Sequence, residues 1–251
     1  MNLLPDVTAL PVEPLPRTHA PPKTKYENYR NCCRWDFGFT CSLCFLHESD
    51  FIECGAEGAG LIWIEHHELK SEDESQRDVY GNCILSCRFC NNNRSTRPLT
   101  DPETGGELLD PTSATWAAYF FLDNELVMRP LFDLNEDADY TSRAYLLDDS
   151  RKTKLRHNRR RRLAAFKAAE DDCVSRLPRL LVLAEQTTDP TDSQLLVETA
   201  ERMVTTYREA LTEIIRYEMI PEDKPERCRC DVAGALPPWL SGQSQEIQAL
   251  P

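Results

Sequence analysis

Cys41-Ser42-Leu43-Cys44, then Ile64-Glu65-His66-His67, then Gly81-Asn82-Cys83-Ile84-Leu85-Ser86-Cys87-Arg88-Phe89-Cys90-Asn91 are the segments on which the fold turns. Two Cys-x-x-Cys pairs bracket a carboxylate-histidine step and two asparagines. Four soft thiolates select zinc, and paired spacing of this kind closes a tetrahedral site. The residues between the pairs are of another type. A hard carboxylate oxygen and a titratable imidazole are what is needed to hold a divalent cation and activate a water. One segment therefore carries the ligands of a structural metal and a set suited to hydrolysis.

The composition fits that reading. The chain has 251 residues, a formal net charge of -13 and 28% charged residues, with a mean hydropathy of -0.52. Length allows one domain with appendages or two small domains. No apolar run reaches membrane-spanning length. Residues 1–25 lack the basic and apolar regions of an export signal, so the expected compartment is the cytoplasm. There the 11 cysteines stay reduced, and Cys-x-x-Cys pairs read as metal ligands. A net negative charge argues against non-specific coating of nucleic acid. It leaves room for a local basic face, and Arg151, Lys152, Lys154, Arg156, Arg159, Arg160, Arg161 and Arg162 form a dense basic run.

Six prolines between Pro5 and Pro22 predict an extended, mostly disordered arm over residues 1–25. Leu61 to Ile64 is a β-type run preceded by Gly58 and Gly60. A helix is expected to start near Ser86 to Asn91. Asp101-Pro102, Gly105-Gly106 and Asp110-Pro111 are turn signals. Trp116 to Leu122 and Leu126 to Leu131 read as strands joined across Asp123-Asn124. From about Tyr140 the pattern is helical towards Leu183, with an interruption at Pro178. Asp189-Pro190 starts a last helix, ending near Met219. The tail from Glu222 is expected to be irregular.

These residues resemble the HNH endonuclease superfamily, in its zinc-flanked branch that includes endonuclease VII-like resolvases. The likeness is strongest to bacterial HNH proteins reading Glu-His, then Asn-Leu-Leu-Leu-Ser-Cys-x-x-Cys-Asn. Leu109-Asp110-Pro111 and the stretch 138–163 look like the continuation seen there. The resemblance covers about residues 28 to 165. It implies an α+β fold: a zinc-stabilised ββα-metal (His-Me finger) core with a mainly α-helical C-terminal domain. The organisation expected is an arm (1–25), a nuclease core with a four-cysteine zinc site (26–100), a family-associated extension (101–150), a helical domain (151–220) and a tail (221–251).

The resemblance also assigns roles. Cys41, Cys44, Cys87 and Cys90 match the zinc cysteines. His66 matches the general base, Glu65 and Asn91 the ligands of a catalytic Mg²⁺ or Mn²⁺, and Asn82 the asparagine that buttresses the loop carrying the base. Arg94 stands where a Lys or Arg reaches a phosphate, and Arg97, Lys154, Arg159 and Arg160 extend a nucleic-acid-binding face. Departures are Cys83 in place of a leucine, a long gap from Cys44 to Glu65, and His67, which opens a second register with His66 as ligand and His67 as base. The implied activity is phosphodiester hydrolysis of DNA, with RNA also open. By analogy with Septu-like systems, it includes an anti-phage role beside an ATPase subunit. Oligomeric state and target sequence are not readable.

Other readings stand beside these. The four cysteines suit a catalytically silent zinc ribbon that binds DNA or a protein. His66 alone reads as a surface or core histidine, and Asn91 as a helix N-cap. Cys32, Cys33 and Cys54 are alternative ligands. Cys228 and Cys230 have no second pair nearby. The basic run reads as a solvated helix as readily as a phosphate clamp. Leu196 to Ile214 reads as core packing or as a groove for a partner helix.

Overall fold

The computed structural model describes residues 9–48, 50–51, 62–69, 73–132 and 135–218. Leu61, Gly58, Gly60, Cys54, Met219 and the tail with Cys228 and Cys230 lie outside the described residues. The chain divides into two compact units, the first reaching Arg156 and the second beginning at His157. The architecture is mixed α+β, with two small two-stranded sheets and a helical C-terminal region.

In the first unit the β-branched and aromatic run Ile62-Trp63-Ile64 opens strand β1 (Ile62–His66). It pairs antiparallel with β2 (Cys83–Cys87), in register from Ile62 opposite Cys87 to His66 opposite Cys83. Every residue of β2 is buried. The chain passes directly into a helix, Arg88–Arg94, with Cys87 as its extended N-cap. A short helix ahead of the hairpin, Arg30–Asp36, is α1 in chain order, so Arg88–Arg94 is α2. The Cys41–Cys44 turn lies across β2. Ser42 N–H and its hydroxyl both donate to Leu85 O, at 2.8 and 3.0 Å.

Residues 9–25 are extended, without helix or strand, because closely spaced prolines fix φ and remove backbone donors. They are not a free tail. Ala117 N–H donates to Pro11 O, Leu15 N–H to Pro111 O, and Thr18 N–H to Asp36 Oδ1. Leu10 is buried in the core. Apolar burial at Leu10 and these pairings anchor the segment despite its polar composition.

The second sheet is smaller than the sequence pattern suggests. β3 (Phe120–Leu122) and β4 (Met128–Pro130) pair antiparallel, while Trp116–Ala118 is a tight helical turn that buries Trp116. The hairpin loop closes through Asp123, whose carboxylate accepts from the N–H groups of Glu125 and Val127. Helix α3 (Glu136–Tyr145) starts earlier than Tyr140, because Asn135 caps it and accepts from Ala138 N–H. It stops at Leu146 in the left-handed conformation. Helix α4 (Ser150–Ser175) follows, and the division between units falls within it.

The second unit holds the rest of α4, then α5 (Leu177–Gln186) and α6 (Pro190–Glu218). Pro178 sits in the first turn of α5, where its missing N–H costs nothing, so the interruption falls just before it, at Arg176. Asp189 accepts from Thr191 N–H at the start of α6. Phe166 stacks on Tyr207 with centroids 5.9 Å apart, and Ala184 and Ala200 are buried.

Candidate functional site

The thiols of Cys41, Cys44, Cys87 and Cys90 converge. Their sulfurs lie within 4.8 Å of one another, all four residues are buried, and this is the only such group among the described residues. Cys44 Sγ and Cys87 Sγ are 3.6 Å apart, close to the roughly 3.8 Å edge of a tetrahedron with Zn–S bonds of about 2.3 Å. The donor set is therefore compatible with a zinc ion. Burial raises the Cys41 thiol, but S–H donation from Cys44, Cys87 and Cys90 outweighs it and holds Cys41 below the ordinary thiol range. Cys32 and Cys33 are buried on α1 and are not in the cluster.

The cluster ties together three pieces: the 41–44 turn, the end of β2 and the first turn of α2. That places one face of α2 against the hairpin. Asn91 and Arg94 lie three apart, on neighbouring positions of one helix face. Arg94 is fully buried. Its Nη1 lies 3.3 Å from Glu65 Oε1 and also donates to His66 O, while Nη2 donates to His67 O at 2.5 Å. The resemblance puts a phosphate at Arg94. In the structure its two terminal nitrogens are taken by Glu65 and by the two carbonyls where β1 ends, while Nε has no hydrogen-bond partner.

His66 is the last residue of β1 and His67 lies just beyond it, and the two histidines differ in their surroundings. His66 is buried. Its Nε2 lies 2.8 Å from Arg77 O, and the Tyr26 ring meets it edge-on at 4.8 Å. A carbonyl only accepts, so Nε2 carries the proton and Nδ1 is the basic nitrogen of neutral His66. His67 is half-buried, and its Nδ1 has no hydrogen-bond partner. Burial, and then the Arg94 charge, hold the His67 imidazole below its ordinary pKa against the opposing pull of Asp110.

Asn82 is buried and clamps the loop between the strands. Its Oδ1 accepts from Glu68 N–H at 2.7 Å, and its Nδ2 donates to Glu68 O at 2.9 Å and Gln76 O at 3.2 Å. His67 N–H donates to Asn82 O at 2.9 Å. Asn82 thus fixes the chain just after His66, from His67 to Glu68.

The basic positions divide. Arg97 is exposed, and its Nη1 donates to Arg143 O at 2.7 Å. Lys154 and Arg160 are exposed, whereas Arg159 is buried. Lys152 and Arg156 of the same run point inward. Lys152 Nζ donates to Tyr145 O and Leu146 O, and Arg156 Nη2 to Cys44 O at 3.1 Å. Sequence reasoning missed the inward role of Lys152 and Arg156, and the roles of Tyr26 and Arg77 around His66. Basic residues at spacing four, 152 and 156, were the one visible signal, since such a pair shares a helix face. No family model, curated protein or solved structure matches the chain.

Proposed function

We propose that this chain is an HNH-type endonuclease whose zinc-stabilised ββα-metal core hydrolyses phosphodiester bonds of DNA. The observation that carries the reading is the β1–β2 hairpin running directly into α2, with the four thiols at their junction and Glu65, His66, His67, Asn82 and Asn91 grouped around the same hairpin and helix. The zinc does no chemistry. It contributes folding energy to a segment of short elements.

Glu65 and Asn91 would hold one Mg²⁺ or Mn²⁺, which supplies a Lewis acid for the phosphate and the leaving oxygen. Two protein oxygens suffice for a cation that keeps most of its waters. Arg94 holds one oxygen of Glu65 and so orients this carboxylate. His66 is the proposed general base. The Arg77 carbonyl fixes its tautomer and ring, as a base is oriented by a third group in other hydrolytic sites. Asn82 keeps the loop in register. The exposed Arg97 and Lys154 of the first unit supply contacts to the backbone of the nucleic acid.

A second register is favoured by one observation: the Nδ1 of His67 has no partner and His67 is less enclosed than His66. In that register His67 takes the proton. A second class of function is a catalytically silent zinc module binding DNA or a protein. Pairing with an ATPase subunit in anti-phage defence rests on analogy alone.

The test is nicking of supercoiled plasmid with Mg²⁺ or Mn²⁺ by wild type, His66→Ala and His67→Ala, with zinc per chain measured on each. Loss of cleavage in His66→Ala alone, at unchanged zinc, supports the first register. Loss in His67→Ala alone supports the second. No cleavage by any of the three, with zinc bound and the ATPase partner added, sinks the nuclease reading in favour of the silent module.

A further inference from the structure

A general base works only when its ring is held in one tautomer and one plane. The torsion that turns a histidine ring is broad and does not supply this by itself. In His66 one hydrogen bond, from Nε2 to Arg77 O at 2.8 Å, selects the tautomer. It fixes one ring atom and leaves the imidazole plane able to swing about that contact. A second contact on the ring is needed, and Tyr26 makes it. The two rings lie with centroids 4.8 Å apart and planes at 71°.

Tyr26 belongs to a tight helical turn, Tyr26–Tyr29, just ahead of α1. It lies outside the residues 28–165 that carry the family resemblance. Its N–H donates to Asp78 Oδ1 at 3.0 Å, and the Arg77 guanidinium stands 5.8 Å from its ring centroid. Tyr29 of the same turn is buried, and its hydroxyl lies 3.1 Å from Asp78 O. Residues 77 and 78, which supply the carbonyl for His66, are therefore seated on the turn that also supplies the ring. Asn82 holds the neighbouring Gln76 O at 3.2 Å, so this segment has one anchor on β2's side and another on the Tyr26 turn. Both contacts of the His66 ring pass through Tyr26 or through the residues it grips.

We infer that Tyr26 is a positioning residue for His66, and that the chain ahead of α1 is a functional part of the hydrolytic site. It touches neither phosphate nor cation. Its ring sets the plane of the imidazole, and its backbone keeps the Arg77 carbonyl on Nε2. The inference rests on the nuclease reading with His66 as base.

Tyr26→Leu removes the ring, and Tyr26→Phe keeps it. The full chain with ¹⁵N-labelled histidine is used, and the His66 signals are identified by their absence in His66→Ala. Long-range ¹H–¹⁵N correlation at a pH where His66 is neutral reports its tautomer, and plasmid nicking reports kcat and KM. Wild type and Tyr26→Phe should show the Nε2–H tautomer alone. Tyr26→Leu should show a mixture of tautomers, with kcat lower by about 10- to 100-fold and KM close to wild type. Zinc per chain at the wild-type level shows that each variant is folded. If Tyr26→Leu fails that check, Asp78→Ala takes its place with the same expectation, since it removes the acceptor of Tyr26 N–H and leaves the ring. A single Nε2–H tautomer in the ring-less variant overturns the inference whatever the activity. So does a mixture of tautomers with wild-type kcat, or an equal loss in Tyr26→Phe, which would assign the effect to the phenol hydroxyl. If wild type itself does not cleave, the nuclease reading fails, and the tautomer alone decides whether Tyr26 positions His66.

Discussion

Arg94 and Glu65 meet inside the protein, with Nη1 of one 3.3 Å from Oε1 of the other. The arginine is fully buried, and the glutamate is nearly so. This pair joins α2 to β1 and sits beside the two histidine carbonyls that Arg94 also binds. It ties the integrity of the hairpin–helix unit to the charge state of the candidate site.

Removing one member of such a pair leaves an uncompensated buried charge. Arg94→Met should lower unfolding stability by about 3 to 5 kcal/mol, and Arg94→Met with Glu65→Met should recover most of that loss. Urea denaturation of the three proteins checks this. A double variant as unstable as the single would mean that the carbonyl contacts of Arg94, rather than Glu65, carry its contribution.

Ser95 ends α2 with φ 49 and ψ -119, a region where a Cβ is strained and glycine is not. Ser95→Gly is therefore expected to stabilise the protein by about 1 kcal/mol, the opposite of what glycine does at most positions. Thermal melting of the variant decides it, and a lower melting temperature would count against the strain.

Gly106 packs against the start of α3. A Cβ there would lie 2.4 Å from Glu136 O and 2.7 Å from its carbonyl carbon, and backbone cannot rotate away. Gly106→Ala should cost about 1 to 3 kcal/mol as overpacking. The neighbouring Glu107 N–H, which donates to Asp137 at 2.7 Å, should exchange faster in the variant, and hydrogen exchange reads this directly.

If zinc occupies the four thiols, Cys87→Ser should abolish stoichiometric zinc, whereas Cys32→Ser and Cys33→Ser should retain one zinc per chain. Elemental analysis of the purified variants is sufficient. Loss of zinc in the Cys32 or Cys33 variant would reinstate those residues as ligands.

Hydrogen bonding by Arg143, and then by Glu103 N–H, holds the Asp101 carboxyl below its ordinary value. A depressed folded pKa contributes stability above the unfolded pKa of about 3.9 and loses it as pH falls through the folded value. Melting temperature should thus fall below about pH 4 more steeply in wild type than in Asp101→Asn. Parallel curves would remove Asp101 from the acid response.

Some of this was legible in the chain itself. Cys-x-x-Cys spacing announced a four-thiol centre, since ligand type and spacing are local facts. The run 62–64 announced a strand, and Asp189-Pro190 a helix start, through the covalent chemistry of proline and the Asx cap. The resemblance also singled out Glu65, His66, Asn82 and Asn91. It did not show that Arg77 O and the Tyr26 ring enclose His66 while His67 stays half-buried, because those neighbours come from other segments of the chain.

Sequence alone determined which residues are able to bind metal, cap helices and break them, because these properties belong to single side chains and their near neighbours. Tertiary structure decided where charge goes. Arg94, Lys152 and Arg156 carry the same formal charge as Lys154 and Arg160, yet the first three are buried against Glu65, helix-end carbonyls and the Cys44 knuckle, and the last two are exposed. Burial is a property of packing between segments far apart in the chain, and the cost of burying a charge is met only by partners that the fold brings to it.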